Sequence, residues 1–159
     1  MTTQTPDTME TMTQSAIDET IDAIPMNHVE VIETVIDSLD SDNTAMVNQS
    51  NNGHLWKFKY GSAEVFVQLT GTKDEDTLTV WSVVLPLPAK NEPALMRKLL
   101  EMNWQETVEA RFAIVENQLV VVASRSVADM SAGEISRAIT IVATVADNND
   151  DALQSEYGM

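Results

Sequence analysis

Apolar side chains recur at three- and four-residue intervals in three segments of the chain, and this spacing predicts three amphipathic helices. The helices are predicted over residues 27–39, 92–103 and 131–146. The clearest start signal is Ser131 followed by Glu134, a capping box in which both side chains satisfy free main-chain N–H groups. The run of Asp and Asn at 147–151 predicts the end of the last helix, because these side chains compete for main-chain hydrogen bonds.

Between the helices, apolar and polar residues alternate with a period of two, which predicts β-strands. The strands are predicted over residues 45–50, 54–60, 63–69, 77–85, 110–116 and 118–124. The strand at 77–85 is apolar on both faces, so we expect it to be central and covered on both sides. The order is α-β-β-β(-β)-α-β-β-α, which predicts an α+β fold in which a single, mainly antiparallel sheet packs with three helices.

The two ends of the chain differ in composition from its middle. Residues 1–26 are rich in Thr, Asp, Glu and Gln and contain no aromatic residue, which predicts a disordered acidic tail. Residues 27–147 form the predicted folded domain, and 148–159 a second disordered acidic tail. The net charge is −16, so we expect neither nucleic acid nor an anionic membrane as a partner.

Residues that commonly carry catalysis or bind metals are scarce. The chain has no cysteine and two histidines, His28 and His54, and neither stands in a recognisable metal-binding spacing. The acidic stretch at 37–43 faintly resembles a calcium loop but lacks the glycine and the final glutamate of that motif. We therefore predict no catalytic residue, no cofactor and no metal. With no basic leader and no long apolar run, the expected location is the cytoplasm.

The middle helix ends in Leu99-Leu100-Glu101-Met102-Asn103 and is followed by Arg111-Phe112-Ala113-Ile114, a hairpin and the Ser-x-x-Glu helix start. In these motifs and their order the chain resembles the bacterial YbjN family over residues 28–146. That family is similar in fold to the type III secretion chaperones. The resemblance implies an α+β sandwich that is often dimeric, a role in regulation or in holding partner proteins, and no catalytic residues.

The middle helix carries two apolar stripes, although a helix that covers one sheet needs only one. We therefore expect its second stripe to meet another element of the fold or another molecule, and as the molecule we favour a second copy of the chain or an unidentified protein partner. The candidate interface residues are Leu95, Met96, Leu99, Leu100, Met102 and Trp104. The leading hypothesis is a non-catalytic, homodimeric protein-binding module. The alternative is a regulator that binds a small molecule or ion between sheet and helices.

Overall fold

Three helices and six strands follow one another in residues 26–159, the part of the chain that the computed structural model describes. The elements are α1 (His28–Leu39), β1 (Met46–Ser50), β2 (Gly53–Tyr60), β3 (Ala63–Leu69), β4 (Thr77–Pro86), α2 (Glu92–Gln105), β5 (Arg111–Val115), β6 (Gln118–Ser126) and α3 (Ala132–Tyr157). The predicted fold class and element order are confirmed. The predicted N-terminal tail, apart from Met26, lies outside the described residues.

The helix starts follow the capping signals in the sequence. The Asn27 side chain accepts a hydrogen bond from the main-chain N–H of Glu30 at 3.2 Å. At α3, the Ser131 hydroxyl accepts from the Glu134 N–H at 3.1 Å, and the Glu134 carboxylate accepts from the Ser131 N–H at 3.2 Å. These caps satisfy donors that the first helical turn leaves free.

All strand pairs in the sheet are antiparallel, and the strand order is β1-β2-β3-β4-β6-β5. Glu116 and Asn117 turn the chain between β5 and β6 with positive φ angles of 48° and 63°, the left-handed conformation that a tight hairpin requires. β1 and β5 are the two edge strands. Each edge lies beside a helix, α1 near β1 and α2 near β5.

The core lies between one face of the sheet and helices α1 and α3, which also pack against each other. β4 is central, as predicted, and its Leu78 and Val80 are buried beneath α3. Its other face is only half-buried, and there Trp81 stacks on Phe66 with ring centroids 5.3 Å apart. The expectation that both faces are covered is therefore wrong for this second face.

α3 continues past the Asp and Asn run to Tyr157, so the predicted helix end at 147 and the predicted disordered tail at 148–159 are wrong. Asp147 accepts a hydrogen bond from the Ser62 main-chain N–H at 2.9 Å, and Asp150 accepts from the Ser62 hydroxyl at 2.8 Å. Both carboxylates thus bind the β2–β3 turn, although Asp150 also accepts from the main-chain N–H of Asp151 at 2.7 Å. Leu153 and Tyr157 are buried beyond them, and this burial stabilises the last two turns.

Candidate protein-binding surface

The two apolar stripes of α2 lie in opposite environments. Leu95 and Leu99 are buried, so these two candidate interface residues pack the core of the protomer itself. Leu100 is 69% exposed and Trp104 is 82% exposed. Met96 and Met102, the remaining candidates, are half-buried against the core. The part of the predicted interface that is free to meet another molecule is therefore centred on Leu100 and Trp104.

The N-terminal half of α2 is held by the end of α3. The Lys90 N–H, just before the helix, donates to the Tyr157 carbonyl at 2.8 Å. Lys98 forms an ion pair with Glu156 at 3.2 Å, and its ammonium lies 5.7 Å from the centre of the Tyr157 ring. The last turns of α3 therefore fix the orientation of α2, and with it the direction in which Leu100 faces.

The C-terminal half of α2 is held against edge strand β5 through Asn103. The Asn103 side-chain oxygen accepts from the Phe112 N–H at 2.8 Å, and its amide nitrogen donates to the Phe112 carbonyl at 3.4 Å. This amide satisfies the main-chain groups that an edge strand would otherwise leave open at Phe112. Trp104 is the next residue along α2.

Further apolar side chains are exposed on the segments that follow α2. Val108, in the loop before β5, is 58% exposed, and Ile114, on β5 itself, is 56% exposed. Asn103 anchors α2 at Phe112, and Ile114 lies two residues further along β5. We name Leu100, Trp104, Val108 and Ile114 the α2/β5 surface. All four are exposed apolar side chains on α2, on β5 or in the loop between them, and a contiguous set of such side chains is typical of protein-interaction sites.

The comparisons with known proteins give the family and the fold of the chain. The YbjN family, described as "Putative bacterial sensory transduction regulator", matches residues 28–155. The chain belongs to the YbjN family. A search of curated proteins finds no significant match.

The YbjN chain is also similar to two solved structures. The structure of the ExsC–ExsE complex matches with a TM-score of 0.55 and 14% sequence identity, over 80% of this chain and 97% of that chain. The structure of the HopA1–SchA chaperone–effector complex matches with a TM-score of 0.49 and 10% identity, over 80% and 99%. At these identities the first match shows the fold, and the expected type III secretion chaperone-like fold is confirmed.

One acidic group of the stretch at 37–43, Asp40, has structural partners in this YbjN chain. Asp40 ends α1, and its carboxylate accepts from the Thr44 hydroxyl and the Ala45 N–H, each at 2.7 Å. Burial would raise the pKa of Asp40, but the Thr44 side chain and main-chain N–H groups in the loop outweigh it and lower the pKa. Among residues 26–159, no group of three His, Cys, Asp or Glu side chains is placed to hold a metal ion.

A cavity of about 280 Å³ lies between α3 and β6. Its floor is apolar, with Leu78, Ala123 and Ile141 among the lining residues. Arg125 pairs with Glu134, and Arg137 pairs with Glu109 at 2.6 Å, across the rim. An anionic ligand would therefore have to displace a glutamate to reach either arginine.

Within the described residues, no helix is both long and apolar enough to cross a membrane. The indole N–H of Trp56 and the Nδ1 atom of His28 are buried without a hydrogen-bond partner in the same part of the chain. Trp56 itself packs in the core, as the aromatic alternation at 56–60 predicts for a half-buried strand.

Proposed function

We propose that this YbjN chain is a non-catalytic protein-binding module that acts as a homodimer through the α2/β5 surface and holds a segment of a partner protein. The observation that carries this proposal is the exposure of Trp104 and Leu100 on a helix fixed at both ends. A large aromatic side chain at 82% exposure contributes little to folding and is available for association. Tryptophan is also enriched among the residues that dominate interface energies.

Charge supports the choice of this surface for contact between two copies. The chain carries a net charge of −16, so two copies repel each other unless their acidic regions stay apart. On α2 the acids Glu92 and Glu101 are balanced by the bases Arg97 and Lys98. Arg97 and Glu101 pair with each other on one side of the helix, at 3.1 Å. α2 itself is thus neutral, so contact through this helix avoids part of the repulsion.

The comparisons support the protein-binding part of the proposal. ExsC was solved in a complex with ExsE, and it shares its fold with this chain. The family description names a regulator, a role that binding to another protein can serve. Both observations favour a protein partner over a catalytic role, since neither points to a substrate.

Trp104→Ala tests the proposal. Truncating one anchor residue at the centre of an interface costs about 2 kcal/mol or more, and a symmetric dimer contains Trp104 twice, so the dimer dissociation constant should rise at least about thirtyfold. The melting temperature of the protomer, measured at submicromolar concentration, should change little. The heat of dilution in a calorimeter gives the dissociation constant. Loss of the fold with unchanged dimerisation in the remaining folded protein would mean that Trp104 stabilises the protomer instead.

The alternative function, a regulator that responds to a small molecule or ion, is favoured by the cavity between α3 and β6. A ligand there would stabilise the folded protein and raise its melting temperature. Metabolites and divalent ions should be screened by thermal shift. A hit that Ile141→Trp abolishes, in a chain that stays monomeric, would support the alternative over the homodimer.

A further inference from the structure

A groove of about 200 Å³ runs between α1 and the edge strand β1, on the opposite edge of the sheet from the α2/β5 surface. Ile36, Val47 and Trp56 are among its apolar lining residues. Glu33 and Asp37, both exposed on α1, form its rim. We name this feature the α1/β1 groove.

Trp56, one of the residues that line this groove, carries an unused hydrogen-bond donor. Trp56 is 2% exposed, and its indole N–H has no hydrogen-bond partner among the described residues. Buried polar groups in folded proteins are nearly always hydrogen-bonded, because an unpaired donor costs free energy. An occupant of the groove that carries an acceptor, such as a hydroxyl or amide oxygen, would remove that cost.

The main chain of β1 offers a second set of unused groups. The two-residue loop at 51–52 closes on the pair Ser50 and Gly53, and hydrogen-bonded pairs alternate from there along β1 and β2. This register turns the N–H and C=O groups of Val47 and Gln49 towards the open edge. All five side chains of β1 are exposed. An extended segment can therefore pair with β1 as an added strand.

The charge of the groove selects the kind of segment. Glu33 and Asp37 are on the rim, and within the described part of the chain no Lys or Arg lines the groove. A second copy of the chain, with its charge of −16, would bring more acid to this rim. The chain's own residues 1–25 contain acids and no base, so they are equally unsuited. Charge complementarity favours a basic segment from another protein.

We propose that the α1/β1 groove binds an extended, basic segment of a partner protein as a strand added to β1. One hydroxyl- or amide-bearing side chain of the segment accepts from Trp56. Side chains two residues away on the same face carry Lys or Arg beside Glu33 and Asp37. This inference rests on the proposed function, since it takes the partner to be a protein, but it uses a separate surface.

The three tryptophans make the test selective. A fluorescent peptide with the central sequence Lys-Val-Thr-Val-Lys is titrated into the ¹⁵N-labelled full chain, and the three indole N–H signals are assigned with Trp→Phe variants. We expect the Trp56 signal to move downfield as the peptide saturates and the exposed Trp104 signal to stay in place. An unchanged Trp56 signal at saturation would overturn the proposal. So would a Trp56 shift that depends on protein concentration without peptide, because the occupant would then be a second copy.

Two matched pairs of variants test the strand pairing and the charge. Val47→Pro removes an N–H that the β1–β2 ladder does not use, whereas Val47→Thr keeps it. We expect the proline to weaken peptide binding at least about tenfold and the threonine to have little effect. Equal binding by both variants would show that the segment does not pair with β1.

For the charge, Glu33→Lys with Asp37→Lys is compared with Asp74→Lys and Glu75→Lys in the exposed β3–β4 turn, which changes the net charge equally. The groove pair should weaken binding at least about tenfold, and the turn pair about twofold. Equal losses would assign the binding to net charge and overturn the proposal. A peptide that shifts only Trp104 overturns this groove and leaves the proposed function intact. A Trp56 shift in a strictly monomeric chain supports the groove while the homodimer fails.

Discussion

Two adjacent leucines on α2 give a matched test of which stripe belongs to the protomer core. Leu99 is 3% exposed, so Leu99→Ala leaves a cavity and should cost about 2–5 kcal/mol of unfolding free energy. Leu100 is 69% exposed, so folding buries only about a third of it. Complete burial of a leucine stabilises by about 1.5–3 kcal/mol, and Leu100→Ala should therefore cost about 0.5–1 kcal/mol.

Urea denaturation measures both changes, as shifts in midpoint at unchanged slope. The protein must be below micromolar concentration, because dimerisation would add stability that depends on concentration. The two variants should rank in the opposite order for association. Leu100→Ala should raise the dimer dissociation constant, whereas Leu99→Ala removes no group that contacts the second copy. If Leu100→Ala loses as much unfolding free energy as Leu99→Ala at low concentration, both stripes are core and the α2/β5 surface is misassigned.

Three further predictions follow from the ends of the helices and of the chain. Leu153→Ala, at a residue that is 2% exposed, should cost about 2–5 kcal/mol by urea denaturation, and Gln154→Ala less than about 0.5 kcal/mol; similar small losses would mean that the end of α3 is not docked. Because the folded-state pKa of Asp40 is lowered from 3.8, its carboxylate stabilises the fold above that value and loses its contribution as pH falls through the folded pKa. Asp40→Asn should thus lower the melting temperature at pH 7, and the difference from wild type should shrink in acid; a difference that grows in acid would reverse the sign of the argument. Deleting residues 1–25, which we propose are dispensable for folding, should leave the melting temperature within a few degrees, and a large drop would place those residues in the core.

The elements of the fold were predictable where the signal is local. The capping box of Ser131 and Glu134 and the alternation in the strands depend on residues close in sequence. The end of α3 was not predictable in this way. Asp147 and Asp150 are poor helix residues by local preference, but they bind Ser62, which lies 85 residues before Asp147. Only the spacing of Leu153 and Tyr157, one helical turn apart, pointed to a continued helix.

For the candidate surfaces, too, contacts between residues far apart in sequence decide what the local pattern does not. The two stripes of α2 are equally apolar in the sequence, and only packing on α3 and β5 decides that Leu99 is buried while Leu100 is exposed. The α1/β1 groove has no signal in the sequence. The alternating strand position of Trp56 predicts that its indole is buried in the core, and it is buried. Its unpaired N–H becomes visible only once α1 and β1 are placed beside it.

Sedimentation equilibrium of the wild-type chain at tens of micromolar tests the central claim most directly. A homodimer through the α2/β5 surface predicts a species of twice the 17.5 kDa chain mass, which Trp104→Ala shifts towards the single chain. A wild-type protein that sediments only at 17.5 kDa across this range would contradict the account.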